Sequence, residues 1–310
     1  MYKIIQKRKI WIGISTVLVV ASIVMTSVWG LKMGIDFTGG SLLEAKFLGT
    51  KPTVIEVQDS LKPLGLNSLS VQPTEDSIIL RFQENSEATH QKVLASLQKL
   101  AKEKNPVQAT GAATTNFEEL SFTSIGPSIG KELQRKAVYS IILVLLAISL
   151  YIAYAFRRVS KPIESWKYGI VTLVALFHDA VITVGFFAIL GKFWGVEVNT
   201  SFIAAVLTVI GFSVHDTIVV FDRIRENLPK SAADFENTVN VSINQTLTRS
   251  INTTLTVLIV LACITVLGGE SIKYFSMALL VGIFFGTYSS IFLASPLLVA
   301  WEHFHKRQVK

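Results

Sequence analysis

The chain has 310 residues, of which 50% are hydrophobic and only 16% charged, and its mean hydropathy is +0.50. That composition excludes an ordinary soluble domain and points to a polytopic α-helical membrane protein. The formal charge of +7 does not indicate a nucleic-acid groove, because the basic residues gather beside the ends of apolar runs. They are Lys3, Lys7, Arg8 and Lys9, then Arg157, Arg158 and Lys161, then Arg223, Arg225 and Lys230, and finally Lys306, Arg307 and Lys310. This is the positive-inside pattern, and it assigns both termini to the cytoplasm.

Residues 1–9 read as a cytoplasmic N-terminus. The apolar run over 10–29 is long enough to cross the ~30 Å hydrocarbon core and longer than the apolar region of a secretory signal. "TSVWGLKMG" is bulky where cleavage would fall, so the run is expected to persist as the first span. Residues 30–136 are polar and form, with their linkers, an extracytoplasmic α+β insert. "SLLEAKF" alternates as a strand, and "KPTVIEVQDSLKPLG" opens a helix at Pro-Thr. "SLSVQP" and "SIILRFQ" are short strands about the turn "TEDS". Ser86 is placed to cap the amphipathic helix "SEATHQKVLASLQKLAKEKN", and "FEELSFTSI" is the last strand. The order β-α-β-β-α-β is that of a ferredoxin-like split βαβ unit.

Five further apolar runs follow, at 137–156, 168–190, 200–221, 250–268 and 274–300. They make 137–300 the remaining helical bundle and 301–310 a cytoplasmic tail. Trp11, Trp29, Trp166, Trp194 and Trp301 all lie near run ends, where indoles prefer the headgroup layer. In the last run Ala278, Gly282, Gly286, Ser290 and Ala294 recur every four residues, a packing seam whose partner is not fixed by the sequence. The single cysteine, Cys263, lies in an apolar run and excludes an intrachain disulfide.

Ionisable residues at membrane depth are costly, on insertion scales ~2.5–3.5 kcal/mol each for Asp, Lys or Arg at a helix centre. His178 and Asp179 lie midway along the third run, His215 and Asp216 in the fourth, and Arg249 at the start of the fifth. Asp216 precedes Asp222 by six residues, ~9 Å inside the cytoplasmic end. Arg249 is about one turn inside its own helix if that helix begins near Gln245, so the two charges are expected at similar depth on consecutive antiparallel helices. Asn252, Thr253 and Thr256 continue a stripe from Arg249, and Thr172 and Thr183 flank Asp179. These polar faces are expected to point into the bundle, because lipid cannot satisfy them. His215 points ~100° away from Asp216 and reads first as a helix-contact residue. The structural alternatives make Arg249 a snorkelling anchor, Asp216 half of a structural ion pair, and the His178–Asp179 step a helix bridge; only the last is as strong as the functional reading.

"GIDFTGG" (34–40), "SIGPSIGKEL" (124–133), "IGFSVHDTIVVFDRIREN" (210–227) and "QTLTRSINTTLT" (245–256) occur in the order found in the SecD/SecF family. The chain resembles the smaller, SecF-type member over essentially its whole length. It departs from the pattern at His215, where such families often carry asparagine. The resemblance implies a signature turn at Gly34, Asp36, Gly39 and Gly40. It also implies a six-helix half of a resistance-nodulation-division-type bundle in the bacterial inner membrane. The expected job is an accessory one in Sec protein export. With a SecD-like partner the chain would use the proton motive force (sodium in some relatives) to help preproteins leave SecYEG, with membrane lipid as its other contact. Asp216 and Arg249 are the implied coupling residues, with His215, Asp179, His178 and Thr253 as a secondary polar network.

Competing readings are weaker. An intramembrane aspartyl protease would need Gly-x-Gly-Asp where this chain has Ser213-Val214-His215-Asp216, and no His-Glu-x-x-His zinc motif occurs. An ion-coupled small-molecule exporter half of the same superfamily is the nearer rival, on fold analogy alone. No enzyme activity, cofactor or metal is expected.

Overall fold

The computed structural model describes residues 1–74, 76–104, 117–157, 163–231 and 234–308. Arg158, Lys161 and Lys310 of the basic clusters, and Glu75 of the "TEDS" turn, lie outside the described residues. The chain forms two compact units, one of Met1–Lys32 with Ala137–Lys310 and one of Met33–Lys136.

The first unit is helical. Helix α1 spans Arg8–Trp29, and the insert carries α2 (Ile35–Thr38), α3 (Val54–Leu61) and α4 (Glu87–Lys104). The remaining spans are α5 (Pro127–Ala155), α6 (Ser165–Trp194), α7 (Thr200–Asn227), α8 (Phe235–Leu267), and α9 (Glu270–Ser289), which continues through a π-helical turn (Ser290–Ala294) into α10 (Ser295–Gln308). Six helical stretches among the described residues are long and apolar enough to cross a membrane. Several helices run beyond the apolar segments. α8 begins at Phe235, capped by Asp234, so Arg249 lies ~21 Å along it rather than one turn in.

Buried residues hold the bundle together through shape. Phe156 stacks on Tyr168 with centroids 5.2 Å apart, and Phe221 meets both edge-on, joining the end of α5 to α6 and α7. The small-residue seam packs inside the chain. A Cβ on Gly286 would lie 2.9 Å from the Ser213 Cβ, and one on Gly282 only 2.3 Å from a Val209 methyl, so α9 approaches α7 at backbone distance. Ile10, Val17, Val20 and Val28 of α1, and Tyr139, Leu143, Leu150 and Tyr154 of α5, face outward as a lipid-compatible surface.

One end of this bundle collects the basic segments. Glu236 at the start of α8 binds Arg8 at 2.9 Å and His303 at 3.2 Å. Arg225 lies over the Phe156 ring at 5.7 Å. At the opposite end Lys32 meets Glu197 at 3.6 Å, and its carbonyl accepts from the Val198 amide.

The second unit is a four-stranded sheet with two helices. Its elements are the short α2 (Ile35–Thr38), β1 (Gly40–Phe47), α3 (Val54–Leu61), β2 (Ser70–Pro73), β3 (Ser77–Phe82), α4 (Glu87–Lys104) and β4 (Phe117–Ile125). The strand order is β2-β3-β1-β4, antiparallel throughout, which is the split βαβ arrangement the sequence order implied. Thr53 and Glu56 form a reciprocal capping box on α3, and the Ser86 hydroxyl accepts from the Thr89 amide to cap α4. Leu43, Ala45, Ile78 and Leu80 on the strands meet Val57, Leu61, Val93 and Leu97 on the helices in one core.

Candidate ion-coupling site

Asn199 caps α7 by accepting from the Phe202 amide at 3.0 Å, fixing a long helix on which one face is buried. Val209, Ser213, Asp216, Thr217 and Val220 share that face at helical spacing. Asp216 is 4% exposed. Its Oδ2 accepts from Thr287 Oγ1 of α9 at 3.0 Å, and Thr287 in turn shares a 2.7 Å hydrogen bond with Thr254 of α8. The carboxylate thus sits where three helices meet, held by a hydroxyl pair. His215 and Arg249 both lie near enough to act on it electrostatically.

Arg249 itself is exposed, and among the described residues it makes no ion pair within 4 Å, with Asp216 or any other carboxylate. Asn252, Thr253 and Thr256 are exposed alongside it. Thr253 spends its hydroxyl on the Arg249 carbonyl at 2.9 Å. The inward orientation expected for this stripe is therefore corrected. The buried stripe of α8 is Ser242, Thr246, Ser250 and Thr254, roughly a third of a turn away. On α7, Ser201, Ala204, Thr208, Gly211 and His215 form a second exposed line at helical spacing, small or polar where α1 and α5 present bulky apolar residues.

Asp179 lies in a second buried polar centre. Its Oδ2 accepts from Ser213 Oγ of α7 at 2.5 Å and Ser289 Oγ of α9 at 2.8 Å, while Oδ1 lies 2.8 Å from His178 Nδ1. Asp179 is fully buried and His178 2% exposed, so neither faces lipid, and it is the carboxylate that bridges α6 to α7 and α9. Beside it Thr217 and Ser290 share a 2.8 Å bond at the π-helical turn, a local distortion that recurs at functional sites. Thr183 donates to the Asp179 carbonyl and Thr172 to that of Tyr168, both within α6.

The signature turn serves the insert. Gly34 caps α2, which contains Asp36, and Thr38 donates to the Gly34 carbonyl at 3.1 Å. Gly39 has φ +75°, and a Cβ there would lie 2.8 Å from the Pro127 Cα; Gly40 has φ +123° and meets the Phe82 carbonyl. Only glycine combines that backbone with such close neighbours, so this double glycine shapes the entry into β1. It lies in the insert unit, whereas Asp216 and Arg249 belong to the bundle unit.

Ser213, Thr254, Thr287 and Ser289 were not identified as site residues from the sequence, and Ser290 entered there only as part of the small-residue seam. The four-residue recurrence of hydroxyls from Ser242 to Thr254 was the available signal for α8, and Ser213, three residues before Asp216, was the one for α7. Among the described residues no cluster of three or more His, Cys, Asp or Glu could hold a metal ion.

Two family descriptions match the chain: the protein export membrane protein SecD/SecF, C-terminal, over residues 106–304, and the SecD/SecF GG motif over residues 30–47. The protein translocase subunit SecF of Thermobaculum terrenum is 42% identical, with 98% of this chain and 95% of that protein covered. The protein translocase subunit SecDF of Bacillus subtilis is 35% identical over 96% of this chain but only 38% of its own length. The crystal structure of SecDF from Thermus thermophilus, titled a translocon-associated membrane protein, superposes with a TM-score of 0.80 at 30% identity. That match covers 97% of this chain and 39% of the SecDF chain. A SecDF structure titled as a super-membrane-facing form superposes less closely, at 0.68. A six-helix bundle with a split βαβ insert, a double-glycine turn at the insert's entry and near full-length similarity to SecF proteins together place this chain in the SecD/SecF family of protein export membrane proteins, as a SecF-type translocase subunit.

Proposed function

We propose that this subunit acts with a SecD-like partner to convert proton passage at Asp216 into movement that promotes preprotein translocation through SecYEG. The observation that carries the reading is a buried carboxylate at a three-helix junction, beside an arginine turned to an exposed polar face of α7 and α8. Lipid cannot satisfy Arg249, Asn252 or His215, so this face is the one a partner half of the transporter covers. The basic end of the bundle is cytoplasmic, by the asymmetry of Lys and Arg, and the insert lies outside, where it would meet the emerging preprotein.

The coupling works by distance. At an effective dielectric of ~20, bringing a guanidinium from ~8 to ~4 Å of a carboxylate changes their interaction by ~2 kcal/mol. That alters the carboxyl's proton affinity by more than tenfold. Thr287 holds Oδ2 in place while Arg249, on the partner-facing side, is the element free to be moved. A rocking of one half against the other therefore loads and unloads Asp216, and loading in turn biases the rocking.

Asp216→Asn keeps an oxygen for the Thr287 hydroxyl and should fold, yet abolish stimulation of export by the proton motive force. Arg249→Met should do the same. The double variant should remain inactive in inverted membrane vesicles holding equal amounts of complex. Export by the double variant at near wild-type rate would refute the proton-carrier role, because a purely structural pair is rescued by neutralising both members.

A further inference from the structure

The bundle carries a groove of about 970 Å³ away from the exposed Arg249 stripe. Its walls come from α1, α8 and α9 and are apolar, with Ile251, Leu255, Leu258, Phe284 and Phe292 prominent. The volume is at the upper end of the range for small-molecule sites. On α8 the groove residues Leu247, Ile251 and Leu258 lie roughly half a turn from the Arg249 stripe, at 100° per residue. The groove and the polar partner face therefore occupy opposite sides of that helix.

One end of the groove is built from the N-terminal segment, and that segment is fastened down. Buried Asn240 accepts from the Ile4 and Ile5 amides at 3.0 and 3.2 Å and donates to the Tyr2 carbonyl at 3.1 Å. Asn244 accepts from the Tyr2 amide at 2.7 Å and donates to the same carbonyl at 2.9 Å. These amides fix Met1, Lys3 and Lys7 along the mouth, where both lysines are exposed and make no ion pair among the described residues. Trp11 also lines the groove, and its buried indole nitrogen has no hydrogen-bond partner among the described residues.

We propose that this groove is a binding site for an anionic membrane phospholipid, its acyl chain between α1 and α8 and its phosphate against Lys3 and Lys7. An apolar groove between membrane helices suits an acyl chain, and exposed lysines at the bundle's basic end suit an anionic headgroup. The inner wall includes Thr254 and Thr287, the hydroxyl pair that supports Asp216. The lipid tail thereby touches the residues that position the carboxylate.

Native mass spectrometry of the full chain released from detergent, with phosphatidylglycerol or phosphatidylcholine added, tests this. Phosphatidylglycerol should be retained at least tenfold better. Lys3→Gln with Lys7→Gln, both at exposed positions, should cut that preference by about fivefold per lysine. Leu258→Trp should exclude both lipids. Independently, phosphatidylglycerol with brominated chains should quench wild-type fluorescence, and Trp11→Phe should remove that part of the quenching. Equal retention of the two lipids, or a preference untouched by the lysine changes, would overturn the proposal. So would a dimer that Leu258→Trp dissociates, which would make a second copy the occupant.

Discussion

Replacing Asp179 distinguishes a carboxylate that clamps helices from one that carries ions. Two of its hydrogen bonds cross between helices, from Ser213 at 2.5 Å and Ser289 at 2.8 Å, whereas the contact with His178 stays within α6. An interhelical hydrogen bond in a membrane bundle contributes ~0.6 kcal/mol on average and ~1.7 at most. Loss of both therefore costs ~1–3 kcal/mol. Asp179→Asn retains one oxygen and offers an amide to hydroxyls that can rotate to accept, so about 1 kcal/mol is expected. Asp179→Ala leaves the hydroxyls unsatisfied beside a void and should fall at the upper end or beyond. Asp179→Leu with Ser213→Ala and Ser289→Ala removes both hydroxyl donors together with their acceptor and should recover part of the loss seen in Asp179→Ala, the remainder being the buried His178 imidazole left without its carboxylate. Unfolding of the purified chain by SDS in mixed micelles, followed by helical circular dichroism, measures these differences, with export assayed in parallel. An Asp179→Asn protein that unfolds like the wild type but loses proton-driven export would refute the clamp and make Asp179 part of the ion path.

Three other outcomes can be checked. Gly286→Leu should destabilise the bundle by ~1–3 kcal/mol in the same unfolding assay, because its Cβ would already lie 2.9 Å from the Ser213 Cβ; wild-type stability would mean that the α7–α9 seam is looser than described. Cysteines at Ser86 and Ser231, with Cys263 replaced, should label from opposite faces of the membrane with an impermeant thiol reagent, and outside labelling at Ser231 in sealed cells would invert the topology. In the insert, the Lys104 ammonium and then the Thr53 amide hold the Glu56 carboxyl below its ordinary value of 4.5. A depressed carboxyl stabilises the fold above the unfolded-state value and ceases to do so as the pH falls through the folded one. Melting a fragment of residues 33–136 across pH 7 to 3 should show that acid loss, and Glu56→Gln should flatten it.

Local patterns in the chain were enough to give six spans, their order, and a split βαβ insert between the first two. Length of apolar run, strand alternation and the Thr53 and Ser86 caps are properties of neighbouring residues, so they survive without knowledge of what packs where. The charges at membrane depth were equally visible, since Asp179, Asp216 and Arg249 interrupt runs that otherwise suit lipid. What the sequence left undecided was which way each helix faces. Spacing tied Arg249 to Asn252, Thr253 and Thr256 correctly, but the stripe is exposed, and Ser242 to Thr254 is the buried one. In water, burial of the apolar face orients a helix; in lipid that guide is lost, and α8 carries two polar stripes between which spacing alone cannot choose. Nor could spacing find the partners of Asp179, which lie 34 and 110 residues away, or the seam that seats Gly286 on Ser213. Those contacts depend on how α6, α7 and α9 cross, and the crossing is set by close packing of small residues on different helices, which only the tertiary structure brings together.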